Sequence, residues 1–200
     1  MSIDQLVALT IAKRWEVLAV ITGIISVYLS TRENIWSWPT ALVNVALYFV
    51  VFYETKLYAD MGLQVVYFAL SLYGWYEWLY GGENRTELHV SRTSPALGVR
   101  LAMIAVACVA VLGTVLARFT DAALPYIDSA TAGTSLVAQW MMTRKILENW
   151  AVWVAVDVVY IAMFVFKRLY LTAGLYSVFL VLAIMGYVQW KRSLAERSLA

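Results

Sequence analysis

The fold is decided by residues 139–160, which read QWMMTRKILENWAVWVAVDVVY. A basic pair, Arg144-Lys145, separates two hydrophobic segments there, as expected of a turn between two membrane helices. The second segment places four polar or aromatic side chains at i, i+4, i+8 and i+11, hence on one helical face: Asn149, Trp153, Asp157 and Tyr160. Because hydrocarbon does not accept an unpaired amide or carboxylate, this face predicts a lined cavity within a helical bundle.

Composition places the chain in a membrane. Of its 200 residues, 62% are hydrophobic and 14% are charged, and the mean hydropathy is +0.72. Soluble domains average roughly 25% charged residues. The net charge is only +2, so the chain lacks the basic footprint of a nucleic-acid-binding protein, and we expect no nucleic-acid partner.

The residue types that metal sites and many enzymes need are scarce. Cys108 lies alone in an apolar run and His89 lies alone in a polar loop, so neither predicts a disulfide, a metal site or a catalytic site. The P-loop pattern for ATP, Gly-x-x-x-x-Gly-Lys-Ser/Thr, does not occur. A membrane-embedded enzyme would need a nucleophile–base pair or a metal set. We therefore expect no catalytic residues, no metal and no cofactor.

Seven hydrophobic spans are expected, at about 15–30, 37–54, 61–80, 96–118, 129–142, 149–166 and 171–190. Several are shorter than the roughly 20 residues expected of a membrane helix, and aromatic and basic ends complete them. The predicted organisation is an interfacial N-terminal segment (1–14), a first three-helix repeat (15–80), a polar loop (81–95), a linker helix (96–118), a second three-helix repeat (127–190) and a C-terminal tail (191–200).

The two halves of the chain repeat each other. Sliding the sequence by 112 residues aligns 16–78 with 128–190 and gives 14 identities over 63 positions without a gap. Each repeat holds three spans, so a second repeat joined directly to the first would be inverted in the membrane. The single span between them gives both repeats the same orientation. The prediction is an all-α membrane protein with seven transmembrane helices as 3+1+3 parallel repeats. Such repeats suit an alternating-access transporter with its site at the repeat interface, although a structural scaffold can also arise by duplication.

Further polar stripes lie on other predicted spans. The span 61–80 carries side chains at i, i+3, i+7, i+11 and i+14, which are Gln64, Tyr67, Ser71, Trp75 and Trp78. Pairs at i, i+4 occur on two more spans: Asn44 with Tyr48, and Ser135 with Gln139. These groups either line a cavity or bond one helix to another. The aromatics at the span ends predict an interfacial belt, formed by Trp36, Trp38, Tyr76, Tyr80 and Trp190.

Asp157 is the single residue that most strongly indicates a functional site, because it is a carboxylate in the middle of a span. An acid inside the membrane predicts a functional site, and a buried pair with Arg144 or with a tyrosine hydroxyl is the alternative. The basic residues of the loops fall nine on one side of the membrane and six on the other. By the positive-inside rule this excess places the C-terminus in the cytoplasm.

One block of this sequence carries a family resemblance. Residues Glu148-Asn149-Trp150, followed by Trp153 and Asp157, resemble the signature of the PnuC vitamin transporters, as do Gln139-Trp140 and Arg144-Lys145 before them. The run Lys167-Arg168-Leu169-Tyr170 fits the loop that follows. Residues Asn44, Gln64 and 73–78 are similar to the first repeat of that family, and the resemblance covers about 15–190.

The resemblance implies a fold related to the SWEET sugar transporters, usually a homotrimer, in the lipid bilayer of the bacterial inner membrane. It implies facilitated diffusion of nicotinamide riboside, or of thiamine or another vitamin, made one-way by a soluble cytoplasmic kinase. It places recognition at Gln139, Asn149, Trp150, Trp153 and Asp157. With the stripes, the full set of expected substrate-binding residues is Asn44, Tyr48, Gln64, Tyr67, Trp75, Gln139, Asn149, Trp150, Trp153, Asp157 and Tyr160.

The side-chain chemistry agrees with that substrate class. Nicotinamide riboside has a flat cationic pyridinium ring, a carboxamide and a sugar. Aromatic faces attract such a cation by roughly 0.5–2 kcal/mol each, and amide side chains match the carboxamide and the sugar hydroxyls. Thiamine is also a flat cation and stays open as an alternative. A receptor or scaffold that transports nothing is the alternative from a different class.

Overall fold

Long apolar segments must satisfy their backbone groups internally in lipid, so they form helices. A computed structural model describes residues 3–54, 58–119, 125–166 and 168–197, and the side chains of 3–13, 58–60 and 171 lie outside that description. The described residues form seven α-helices and one 3₁₀ turn at Glu83–Arg85, so the all-α class is confirmed. The helices are α1 (Ile3–Thr31), α2 (Ser37–Glu54), α3 (Tyr58–Tyr80), α4 (Pro95–Phe119), α5 (Pro125–Thr143), α6 (Asn149–Phe166) and α7 (Tyr170–Arg197).

Within the described residues, four stretches are long and apolar enough to cross a membrane: Arg14–Thr31, Pro95–Phe119, Asn149–Phe166 and Thr172–Arg197. The helix α5 is less apolar because it carries hydroxyl, amide and acidic side chains along much of its length. Much of the outer surface is nonetheless hydrophobic, and α4 alone exposes Val99, Met103, Ile104, Val106, Val111 and Phe119. Large exposed apolar surfaces of this kind indicate contact with lipid or protein.

The helices divide into two units, residues 1–88 and residues 89–200. In the first unit α2 packs against both α1 and α3, and in the second α6 packs against both α5 and α7. The helix α4 joins the second unit by packing against α5. The helices α2 and α6 therefore hold the same middle position in their sets of three, and α6 carries the polar face that the sequence singled out.

Two helices run past the boundaries that the sequence suggested. The helix α1 is continuous from Ile3 to Thr31, and no glycine or proline occurs in residues 3–14 to interrupt it. That residues 1–14 form an interfacial segment stays a prediction. At the other end α7 continues to Arg197, because the expected tail is rich in helix formers and ends in a basic turn that suits a helix C-terminus. Pro95 and Pro125 stand at the starts of α4 and α5, where a proline is tolerated.

The turns that lead into α2 and α6 have the same geometry. Glu33 (φ 52°) and Lys145 (φ 47°) are both left-handed residues just past a helix end. In the second turn Lys145 N–H donates to the Met142 carbonyl at 3.1 Å, and Ile146 N–H donates to the Met141 carbonyl at 3.0 Å. This pair of bonds is a Schellman motif, which satisfies the last carbonyls of α5 and reverses the chain.

Two tryptophan pairs anchor the middle helices. Trp38 and Trp78 meet edge to face with their ring centroids 5.3 Å apart. Trp150 and Trp190 do the same at 5.4 Å. The prediction of an interfacial belt is wrong for Trp38 and Trp190, which are 3% and 0% exposed, because each fills the space between two packed helices.

Candidate functional site

The polar face of α6 forms as the spacing predicts, because the helix is continuous from Asn149 to Phe166. Asn149 is 0% exposed and Asp157 is 4% exposed. Trp153 and Tyr160 lie half-buried on the same face. A buried amide and a buried carboxylate, with aromatic rings between and beyond them, therefore follow one line along the middle helix of the second unit.

Asn149 is held by the turn that precedes it. Its Nδ2 donates to the Ile146 carbonyl oxygen at 2.6 Å, and its backbone N–H donates to the same oxygen at 3.1 Å. Its Oδ1 is buried and has no hydrogen-bond partner among the described residues. The carbonyl of Ile146 can only accept, so the amide is fixed with its nitrogen inward and its oxygen free. The result is an acceptor that is buried, oriented and unused.

Asp157 lies two turns further along α6. No cation and no hydrogen-bond donor contacts its carboxylate within the part of the chain that the structure describes. The alternative of a pair with Arg144 is therefore not what the second unit contains. A buried carboxylate without a partner is costly in a low-dielectric interior, and a ligand of positive charge would offset that cost.

Tyr160 extends the face toward α5 and α7. Its hydroxyl lies beside the Thr131 and Ser135 hydroxyls of α5. Its ring lies 4.7 Å from the ring of Tyr176 on α7 and stacks on Phe164 at 5.8 Å. Tyr176 was missed by the sequence reasoning. The signal that could have found it is the 112-residue shift, which pairs it with Gln64.

Trp150 lies next to Asn149 but in a different environment. Its indole is 1% exposed, packs against Trp190, and would be struck by a Cβ on Gly186. Its Nε1 has no acceptor among the described residues. Gln139 of α5 is half-buried one turn beyond Ser135, whose side chain is buried. Trp150 and Gln139 stay predictions as substrate contacts.

The first unit places its predicted residues differently. Asn44 donates from Nδ2 to the Ala19 carbonyl of α1 at 2.5 Å, so its amide bonds two helices together. The ring of Tyr48 stacks on Phe52 at 5.6 Å. Gln64, Tyr67 and Trp75 lie half-buried along α3, while Ser71 and Trp78 of the same stripe are buried.

A separate cavity of about 350 Å³ lies between α4, α5 and α6. Its lining contains none of the predicted substrate-binding residues and is mostly small or aliphatic, with Gly98, Leu101, Ala105, Val137, Met141 and Val152 among it. Thr93, Thr134 and Glu148 also line it, but Glu148 Oε2 already accepts hydrogen bonds from Thr93. A cationic ring with a carboxamide and hydroxyls would meet few other polar groups there. The α6 face is therefore the stronger candidate for recognition.

Residues 13–192 match the model of a family described as nicotinamide mononucleotide transporter. Over 208 aligned residues the chain is 30% identical to the nicotinamide riboside transporter PnuC of Escherichia coli, with 91% of this chain and 87% of that protein covered. It is also 30% identical to the nicotinamide riboside transporter PnuC of Neisseria mucosa over 194 residues, which cover 90% of this chain and 73% of the other.

Two further likenesses bear on substrate and on fold. A riboflavin/roseoflavin transporter, RibM of Streptomyces davaonensis, is 28% identical over 173 residues, covering 85% of this chain and 81% of that protein. A crystal structure of the vitamin B3 transporter PnuC superposes with a TM-score of 0.71 at 23% identity and covers 98% of this chain and 94% of the other. At that identity the likeness shows a shared fold.

Proposed function

The chain belongs to the nicotinamide mononucleotide transporter family, and we propose from that premise that it carries nicotinamide riboside across the bacterial inner membrane by facilitated diffusion. That family consists of transporters and not of enzymes. The relatives from Escherichia coli and Neisseria mucosa are both named for the riboside. The observation in this chain that carries the proposal is the α6 face, where a free amide acceptor and an unpaired carboxylate stand on one side of a helix.

The chemistry of that face fits the riboside group by group. A carboxamide N–H of the substrate can donate to the unused Oδ1 of Asn149. The pyridinium charge is attracted by the Asp157 carboxylate and by the ring of Trp153. Tyr160, with the hydroxyls of Thr131 and Ser135 beside it, offers donors and acceptors to the sugar. We place recognition at these side chains, together with Gln139.

The architecture we propose is 3+1+3 with parallel repeats, related to the SWEET fold, and working by alternating access. Its support is that the helix bounds repeat at the same 112-residue shift: α2 (Ser37–Glu54) matches α6 (Asn149–Phe166), and α1 and α5 end at matching residues. The left-handed turn residues and the edge-to-face tryptophan pairs also match. A homotrimer, and a cytoplasmic kinase that retains the vitamin, remain predictions of the family resemblance.

Riboflavin is a second candidate, because RibM is a relative of similar coverage. Riboflavin also has a flat ring and a polyhydroxyl chain, but its ring is uncharged. A buried carboxylate without a cation favours the charged substrate over the neutral one. Asp157 is thus the residue of this chain that argues against riboflavin, and against a receptor for a neutral ligand.

The experiment is a binding titration of the purified chain in detergent with nicotinamide riboside, thiamine and riboflavin. We expect saturable binding of the riboside, with thiamine and riboflavin at least tenfold weaker, which is about 1.4 kcal/mol. Tight binding of riboflavin with none of the riboside would move the chain to the second candidate. Binding of thiamine alone would show that charge is read and the carboxamide is not.

A further inference from the structure

The polar loop before α4 is hydrogen-bonded to the α5–α6 turn, which precedes Asn149. The contacts that Ser91 and Thr93 make with this turn are called the strap. Ser91 forms a parallel β-bridge with Ile146. The Ser91 N–H donates to the Lys145 carbonyl at 3.0 Å, and the Leu147 N–H donates to the Ser91 carbonyl at 2.9 Å. Two backbone hydrogen bonds therefore hold the residues on either side of Ile146.

A side chain closes the strap at its far end. The Glu148 carboxylate accepts two hydrogen bonds at one oxygen, Oε2, from the Thr93 N–H at 2.8 Å and from the Thr93 hydroxyl at 2.9 Å. Hydrogen bonds to a carboxylate are stronger than those between neutral groups. Glu148 immediately precedes Asn149, so this contact fixes the backbone next to the recognition residue.

Apolar packing anchors the same turn from the other side. Leu101 of α4, Met141 of α5 and Ile146 form one buried cluster. The side chains of Ile146 and Leu147 are 4% and 1% exposed. The Ile146 carbonyl, which orients the Asn149 amide, is thus set by the strap and by this cluster together.

The corresponding turn before α2 has no Glu–Thr contact of this kind among the described residues. The 112-residue shift pairs Glu148 with Trp36, whose side chain is 66% exposed. The backbone bonds within the two turns are otherwise alike. The strap is an addition to the second unit, where Asn149 stands, and the fold of the turn alone does not require it.

We propose that Glu148 and Thr93 are positioning residues for substrate recognition, which hold the α5–α6 turn so that Asn149 presents its free oxygen to the substrate. This assignment rests on the proposed function, since it needs Asn149 to contact the vitamin. Glu148 itself does not touch the substrate. It acts through the backbone of 146–149, by keeping the side chain of Asn149 in the position that binds the substrate.

The test compares Glu148→Ala with Glu148→Gln in nicotinamide riboside binding and in transport by reconstituted vesicles. Gln keeps a side-chain oxygen that accepts from Thr93, whereas Ala keeps none. We expect Glu148→Ala to raise Kd and KM about tenfold with Vmax within about twofold, and Glu148→Gln to stay near wild type. Thr93→Val should add little in the Glu148→Ala background, because both changes break the same contact.

Trp36→Ala is the matched control, since it changes the equivalent position in the first unit and should leave Kd unchanged. Amide hydrogen exchange provides a readout without substrate: the Leu147 N–H should exchange faster in Glu148→Ala and at the wild-type rate in Glu148→Gln. Wild-type Kd in Glu148→Ala, or a Glu148→Gln variant as weak as Ala, would overturn the proposal. A wild-type chain that does not bind the riboside at all would instead overturn the proposed function, while the exchange result would still test the strap.

Discussion

At the scale of the residue, the account rests on the free oxygen of Asn149. We predict that Asn149→Ala weakens nicotinamide riboside binding at least tenfold, about 1.4 kcal/mol, because the change removes a buried acceptor that the turn orients. Trp153→Ala should do the same by removing a half-buried ring from the same face. Titration of both variants checks this, provided that each remains monodisperse in detergent. Wild-type affinity in both would remove this face from the site.

Asp157 gives a prediction about charge. The reduced riboside has nearly the shape of nicotinamide riboside, but its ring is neutral. The wild-type chain should prefer the cation, since the carboxylate is buried and meets no described cation. Asp157→Asn keeps the size of the side chain and should abolish that preference, with affinity for the cation lowered at least tenfold. The ratio of the two dissociation constants is the measurement. An unchanged ratio in Asp157→Asn would mean that the acid does not face the substrate.

The sequence predicted the line of residues along α6 because helical periodicity is a local property of the chain. It did not predict that Asn149 turns its nitrogen to Ile146, nor that Tyr176 packs on Tyr160. Both depend on how a turn closes and on which helices meet. The same limit applies to Asn44, whose bond to the Ala19 carbonyl is a contact between helices.

At the scale of the element, two glycines of α7 differ in their surroundings. Their substitution therefore tests side-chain packing and helix propensity separately. A Cβ on Gly186 would strike the Trp150 ring, whereas a Cβ on Gly174 meets nothing within 4 Å. Gly186→Ala should lower the free energy of unfolding by about 1–3 kcal/mol, the usual cost of overpacking. Gly174→Ala should raise it by about 0.5–1 kcal/mol, because alanine favours the helix. Thermal unfolding in detergent, followed by size-exclusion chromatography, compares the two. Equal stability in the pair would contradict the packing of Trp150.

Two tryptophans near the ends of predicted spans do not lie where the sequence pattern places them. An aromatic residue near a span end is expected at the membrane interface, yet Trp38 and Trp190 are buried. Their partners in the edge-to-face pairs lie 40 residues away in sequence, as in Trp38 with Trp78 and Trp150 with Trp190. Only the recurrence of both pairs at the 112-residue shift hints at a shared packing role, and that hint does not say what each ring touches.

At the scale of the whole molecule, the charge of the loops predicts the orientation. The nine basic residues on the C-terminal side include Arg144, Lys145 and Arg197. By the positive-inside rule this side faces the cytoplasm. A C-terminal fusion to a reporter that fluoresces only in the cytoplasm should therefore light up, and an N-terminal fusion should stay dark. A dark, membrane-inserted C-terminal fusion would reverse the orientation.

The all-α class could be predicted from composition, and the repeat that we propose could be inferred from self-alignment, because both are sums over many residues. The matching helix bounds support the duplication. The strap between Ser91, Thr93 and the α5–α6 turn was not foreseen. It joins a loop to a turn more than 50 residues later, and neither stretch carries a periodic signal.

The most direct test of the account is uptake of labelled nicotinamide riboside and of its 5′-phosphate into proteoliposomes, at matched concentration and without ATP or an ion gradient. The proposed lining offers aromatic rings, neutral amides and one acid, Asp157. A phosphate carries about −1.5 to −2 charge and would be repelled there. We predict saturable uptake of the riboside, lost in Asn149→Ala, and no uptake of the phosphate. Absence of riboside uptake above empty vesicles would contradict the transport function, and equal rates for both compounds would contradict the proposed lining.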